Sequence, residues 1–152
     1  MIGLLQRVNR ASVEVEGKPI AAIGRGLLVL IGIERTDTEA QGERLLQRLL
    51  AYRVFADDAG RMNCDIRDIR GELLLVPQFT LPADTRKGNR PSFTPAAPPE
   101  TGRQLFGYLC ARAERLHAAT AHGVFGVDMQ VHLVNDGPVT FWLQVPAAGG
   151  KP

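Results

Sequence analysis

The chain has 152 residues, 45% of them hydrophobic, and a formal net charge of +2. A chain of that length buries roughly 68–70% of its unfolded surface without staples, and this apolar content excludes a disordered or low-complexity polypeptide. A charge so near balance argues against a dedicated duplex binder. Arginine, which grips phosphate bidentately, still supplies 15 of the 18 cations.

Cys64 and Cys110 lie far apart and form no metal-ligand spacing, so free thiols, a cytoplasmic setting and no metal or cofactor are expected. The opening Met1-Ile2-Gly3-Leu4-Leu5-Gln6-Arg7 is apolar too briefly for a membrane span and lacks the basic flank of a signal peptide.

In chain order, residues 2–16 read as extended, and Gly17-Lys18 turns them into a second strand at Pro19-Ile20-Ala21-Ala22-Ile23. Gly24-Arg25-Gly26 precedes the continuous apolar run Leu27 to Ile33, which suits a strand buried on both faces. A glycine pair that leads into a strand instead of opening a helix is no dinucleotide loop. Thr36 and Glu39 have capping-box spacing before Leu45, Leu46, Leu49 and Leu50, which predicts a helix over residues 37–53 with Thr36 as its cap. Asp57, Asp58, Asp65 and Asp68 lack the alternating spacing of a calcium loop and read as solvated turn residues.

Glu72-Leu73-Leu74-Leu75-Val76 is the next buried strand. It runs into Pro77-Gln78-Phe79-Thr80-Leu81-Pro82, where alternation sends the polar Gln78 and Thr80 side chains to one face at a strand end, the place where open sheets put chemistry. Residues 82–99 have no periodicity and carry Arg86, Lys87 and Arg90 against Asp84, a combination suited to phosphate contact or to plain solvation. A second helix is expected over residues 100–117, with Leu105, Leu109 and Leu116 on one face.

Two alternating runs follow, Val127-Met129-Val131-Leu133 and Val139-Phe141-Leu143-Val145, and Asn135-Asp136-Gly137-Pro138 between them reads as the corner of a hairpin. Pro138 is unusual there, because proline donates nothing to a ladder and fixes its own φ. His117, His122 and His132 have no zinc spacing, and no nucleophile elbow is present. These readings predict a single β-rich α/β domain over residues 1–145, built on a twisted, barrel-like sheet with two main helices, and a tail over 146–152. They leave function open.

The motifs resemble those of the D-aminoacyl-tRNA deacylases of the bacterial and eukaryotic type. Gln6-Arg7-Val8 and Ala11-Ser12-Val13 resemble the start of that family, and Asn135 to Thr140 its Asn-x-Gly-Pro-Val-Thr motif. Pro77-Gln78-Phe79-Thr80 corresponds to its Ser-Gln-x-Thr motif, with Pro77 standing where the family has serine. Arg90-Pro91-Ser92-Phe93 and Gly123-Val124-Phe125 through Met129 also fit. The resemblance implies a homodimer that hydrolyses the ester of D-aminoacyl-tRNA, and of glycyl-tRNA, as a chiral proofreading step. The cis Gly137-Pro138 pair of one subunit would enter its mate's site, hold the substrate ammonium by two carbonyls and exclude an L side chain.

The same resemblance gives Gln78, Phe79 and Thr80 as the catalytic stretch. Gly137, Pro138, Arg7, Phe125 and Met129 are expected to bind substrate, and the charge of the loop makes Arg86, Lys87 and Arg90 the candidates for tRNA contact. Thr80 is expected to position the ester, because no general base is recognisable beside it. Arg7 is expected to brace the Gly-Pro loop. A non-catalytic tRNA-binding module and a general aminoacyl-ester hydrolase are the alternatives.

Overall fold

The computed structural model describes residues 1–147, so of the expected tail residues 148–152 lie outside the described residues. The elements are β1 (Ile2–Val15), β2 (Lys18–Ile23), β3 (Gly26–Gly32), α1 (Glu39–Leu50), β4 (Phe55–Ala56), β5 (Met62–Cys64), β6 (Glu72–Pro77), α2 (Pro99–Leu116), β7 (Thr120–His122) and β8 (Gln130–Gln144).

The first strand organises the sheet. Its first half pairs antiparallel with β3, Ile2 opposite Gly32 and Val8 opposite Gly26, and its second half with β2, Ala11 opposite Ile23. β6 lies parallel to β3 and β7 parallel to β6, so the main sheet has the order β2-β1-β3-β6-β7, with β8 along the other edge of β1. The strands curl into a nearly closed, barrel-like sheet. Parallel neighbours need crossovers, and α1 with the β4–β5 hairpin supplies the first while the 78–98 loop and α2 supply the second.

Both faces of the central strands are dry, as their unbroken apolar runs require. Leu27, Val29, Ile31, Leu73 and Leu75 pack under the helices against Leu45, Leu46, Leu49, Phe106 and Leu109. Alternate positions Leu28, Leu74 and Val76 join Val8, Val13 and Ile23 inside the curl. Each such side chain contributes about 1.5–3 kcal/mol on burial.

The two helices meet where Gly42 leaves room for Leu109; a β-carbon at Gly42 would come within 3.0 Å of it. Beside that contact Glu43 accepts hydrogen bonds from Tyr108 Oη at 2.8 Å and from the Arg112 guanidinium. The stripe that α2 buries is Gly102, Phe106, Leu109, Cys110 and Ala113, and Leu116 stands exposed at its end instead of extending the apolar face.

The first helix begins later than the spacing predicts. Its cap is Thr38, whose N–H donates to Gln41 Oε1 at 3.0 Å, so the reciprocal pair is Thr38 with Gln41 instead of Thr36 with Glu39. The cause lies in Asp37. Its carboxylate accepts from the Met1 ammonium at 2.6 Å and from the Glu34 N–H at 2.7 Å, which holds residues 34–37 in a turn until Thr38. The ammonium also reaches Glu34 Oε2 at 2.9 Å and the Val145 carbonyl at 2.8 Å, and Asp37 is buried.

The expected C-terminal hairpin is absent. Most of both alternating runs falls in one strand, β8, with Val127 and Met129 left before it and Val145 after it, and both of its halves pair with β1: Glu14 to Val8 face Gln130 to Asn135, and Gln6 to Ile2 face Thr140 to Gln144. Residues 136–139 have no partner in this register, so four residues bulge opposite Arg7. The turn residues mark a bulge here, because the partner strand continues straight past them.

Candidate active site

Two constructions carry the candidate residues. The first stands at the C-terminal end of β6, where Gln78 N–H donates to Ile31 O at 2.8 Å and completes the parallel ladder. The chain then turns: Leu81 N–H donates to Gln78 O at 3.2 Å and Ala83 N–H to Thr80 O at 3.1 Å. Among the described residues, the N–H groups of Phe79 and Thr80 make no hydrogen bond, and both residues are exposed. Two adjacent donors thus project from a turn anchored at both ends.

Gln78 Nε2 donates to Thr80 Oγ1, as the alternation of these two side chains predicts. That amide is the hydroxyl's hydrogen-bond partner among the described residues, and no carboxylate or imidazole bonds to it. The Phe79 ring is 59% exposed and lies 5.4 Å from that of Phe93 across the mouth of the 82–98 loop.

Beside this turn is a cavity of about 350 Å³, walled by Pro77, Phe79, Pro99, Phe125 and Met129, with Asp128 the charged residue of its lining. Mostly apolar walls with few polar groups suit a flat heterocycle. The structure therefore brings Phe79, Phe125 and Met129 together. Pro77, in the family's serine position, adds an apolar wall. Pro99 and Arg103, whose guanidinium sits 5.4 Å from the Phe125 ring centroid, carried no sequence pattern that marks them, and Asp128 fell within the Gly123–Met129 stretch without being singled out.

The second construction is the β8 bulge. Asn135 closes it from within: Oδ1 accepts from Val139 N–H at 2.7 Å, while Nδ2 donates to Thr140 Oγ1 at 3.0 Å and to Val139 O at 3.3 Å. Arg7 holds it from behind, with Nε donating to Asp136 O at 2.9 Å and Nη1 to Val54 O at 2.6 Å. Gly137 has φ +141°, and a β-carbon there would lie 2.6 Å from Val139 Cγ2, so only glycine fits. The Gly137–Pro138 peptide is cis, and both residues are exposed at the tip. The ends of the Asn-x-Gly-Pro-Val-Thr motif are thereby explained as a clasp.

Among the described residues no hydrogen bond, ring contact or cavity joins the bulge to the Gln78–Thr80 turn. The basic loop is also less cationic than it reads, because Arg86 forms a fork onto Asp84, at 2.7 Å from Nη2, and holds that carboxyl well below the usual range. Lys87 and Arg90 have no ion pair among the described residues. No group of three or more possible metal ligands occurs among them, and no helix is long and apolar enough to cross a membrane.

The family model described as D-Tyr-tRNA(Tyr) deacylase matches residues 4–144. The chain is 61% identical over 145 residues to the D-aminoacyl-tRNA deacylase of Dichelobacter nodosus (strain VCS1703A), covering 95% of this chain and 100% of that one. It is 62% identical over 146 residues to that of Thioalkalivibrio sulfidiphilus (strain HL-EbGR7), covering 96% and 98%. A solved structure titled c-Myc DNA Unwinding Element Binding Protein is 41% identical with a TM-score of 0.92, covering 97% of this chain and 100% of that one. Another, of a probable eukaryotic D-amino acid tRNA deacylase, shares the fold at a TM-score of 0.85 and 16% identity, covering 95% and 98%. With the match spanning β1 to β8 and both constructions inside it, the chain belongs to the D-Tyr-tRNA(Tyr) deacylase family.

Proposed function

We propose that the chain hydrolyses the ester of D-aminoacyl-tRNA, releasing the D-amino acid and free tRNA, in the cytoplasm. The observation that carries this reading is the family match across residues 4–144. The geometry supplies a mechanism. An ester is already activated, so the catalyst has to position it and stabilise the oxyanion that forms as water attacks. The unengaged N–H groups of Phe79 and Thr80 are the donors for that oxygen, and the Gln78–Thr80 pair orients the ester and the terminal ribose. The terminal adenine enters the cavity between Phe125, Met129 and Pro77. The neighbouring ribose hydroxyl relays the proton to the leaving oxygen, which makes RNA part of the catalyst.

Chirality is read by a second copy of the chain. In this reading the Gly137–Pro138 tip of one subunit enters the site of its mate, and its two carbonyls accept hydrogen bonds from the α-ammonium, each worth about 1.5–3 kcal/mol. Support comes from the exposure of that tip, from its bracing by Arg7 and Asn135, and from the absence, among the described residues, of a hydrogen bond or ring contact between it and the turn of its own chain. With ammonium and ester fixed, an L side chain meets the tip and a D side chain points to solvent. Glycine has no side chain to exclude and is hydrolysed too.

The test is release of amino acid from one tRNA charged with D-tyrosine or with L-tyrosine. Loss of the D-ester alone is expected. Loss of both overturns the chiral clamp, and loss of neither leaves a tRNA-binding module.

A further inference from the structure

The segment between β7 and β8 forms one wall of the cavity, and few hydrogen bonds hold its backbone. Residues 123–129 are irregular. Gly123 N–H donates to Leu75 O at 2.8 Å, and beyond that point Phe125 and Met129 pack their side chains against the core while Val124 N–H is directed at Met129 Sδ at 3.4 Å. Among the described residues, one group from outside reaches the backbone of residues 124–129: Arg103 of α2, whose Nη1 donates to Phe125 O at 3.3 Å. The same guanidinium lies over the Phe125 ring at 5.4 Å, and its Nη2 stands 3.1 Å from where a β-carbon of Gly126 would be.

The ring is seated on α2 by its neighbours as well. A β-carbon at Gly102 would come within 2.9 Å of the Phe125 ring, so that glycine is the notch into which the ring fits, and Phe106 lies 6.4 Å away centroid to centroid. The notch fixes how deep the ring goes. The fork of Arg103 fixes where its carbonyl and face point. No carboxylate pairs with Arg103 among the described residues, so the guanidinium is committed to this turn.

We infer that Arg103 is a positioning residue for the nucleotide end of the substrate: it holds Phe125, and through it the wall as far as Met129, in the shape that accepts the base. This rests on the reading of the cavity as the adenine site. Arg103 acts on binding and lies apart from the Phe79–Thr80 donors, so KM moves and kcat does not.

The experiment uses Arg103→Gln, which removes charge and fork, and Arg103→Lys, which keeps a cation over the ring but loses the fork. The expected result for Arg103→Gln is a KM for D-tyrosyl-tRNA raised roughly tenfold with kcat within about twofold. The inhibition constant of adenosine monophosphate rises by the same factor, and Arg103→Lys falls between the two. The thermal midpoint stays put, since Arg103 is exposed. If the nucleotide inhibits the unaltered chain and both variants equally, or kcat falls while KM stays, the positioning role is overturned. Absence of inhibition in the unaltered chain overturns the adenine reading of the cavity, and this inference with it.

Discussion

Arg7 meets Asp136 twice, donating from Nε to its main-chain carbonyl at 2.9 Å and standing 3.3 Å from its carboxylate. With Nη1 on Val54 O, one planar fork ties the bulge to the strand behind it and to the segment before β4. Lysine offers no such fork. Arg7→Lys and Arg7→Ala are expected to lower kcat/KM on D-aminoacyl-tRNA at least tenfold, with a stability loss of about 1–3 kcal/mol for the alanine variant. Urea melts alongside the D/L assay measure both. Unchanged catalysis in a destabilised variant makes Arg7 a structural residue only.

Thr80 presents a hydroxyl whose partner is an amide. An amide takes no proton, so the hydroxyl has no base to make it a nucleophile. Thr80→Ala is expected to retain activity within roughly tenfold, because the backbone N–H donors survive the change. A collapse of kcat by roughly ten-thousandfold with tRNA binding intact marks a covalent route instead.

Asp37 is buried against the Met1 ammonium. Removing one partner strands the other's charge in the interior, so Asp37→Ala is expected to cost about 3–5 kcal/mol in a urea melt, while activity per folded molecule is unchanged.

Acid acts on other carboxylates. Hydrogen bonds from Arg112 and Tyr108 hold Glu43 below its usual 4.5, and bonds from the Asn63 side chain and the Arg61 and Ala59 N–H groups hold Asp57 below 3.8. The folded pKa is lowered in both, so the unfolded chain takes up protons first. Their contribution is complete above about pH 4.5 and is lost as pH falls. Burial raises Asp37, whose contribution has the opposite sign. The expected outcome is stability that declines below about pH 4.5, with a shallower acid limb in Glu43→Gln, read from denaturation midpoints between pH 7 and 3.

Among the described residues Lys87 and Arg90 are the cations of the 82–98 loop without an ion pair, whereas Arg86 is bound to Asp84. Binding of a single-stranded tRNA end is expected to weaken with salt, and Lys87→Ala or Arg90→Ala to flatten the log–log slope by roughly 0.7 each. Arg86→Ala is expected to change it little. An equal effect at all three positions removes Asp84 as the loop's regulator of charge.

The parts legible in the sequence were those fixed by local pattern. The apolar runs of β3 and β6 and the Leu45 to Leu50 stripe of α1 lie where period and composition put them, and the unpatterned stretch expected over 82–99 ends one residue earlier, at Pro98. Turn chemistry misled where a distant strand decided the outcome: Asp136-Gly137-Pro138 has every mark of a hairpin corner, but β1 supplies a ladder for both flanking runs and the turn becomes a bulge. The spacing put the helix start at Thr36, and what moves it to Thr38 is an ammonium 36 residues before Asp37. β5 and β7, three residues each, are too short to show a period. In the site, alternation placed Gln78 beside Thr80, whereas Arg103 and Asp128 come from elements whose patterns speak only of helix and loop.

The pairing of β1 with β8 has a consequence for synthesis. The first strand made is the one with the most partners, β2, β3 and β8, yet its longest partner is the last. While the ribosome is still translating, β3 and β2 line one edge of β1 and the other edge stays open, a template for any extended chain nearby. Loop closure between segments this far apart is slow, so that edge of β1 stays open to pairing until residues 130–144 emerge and close it.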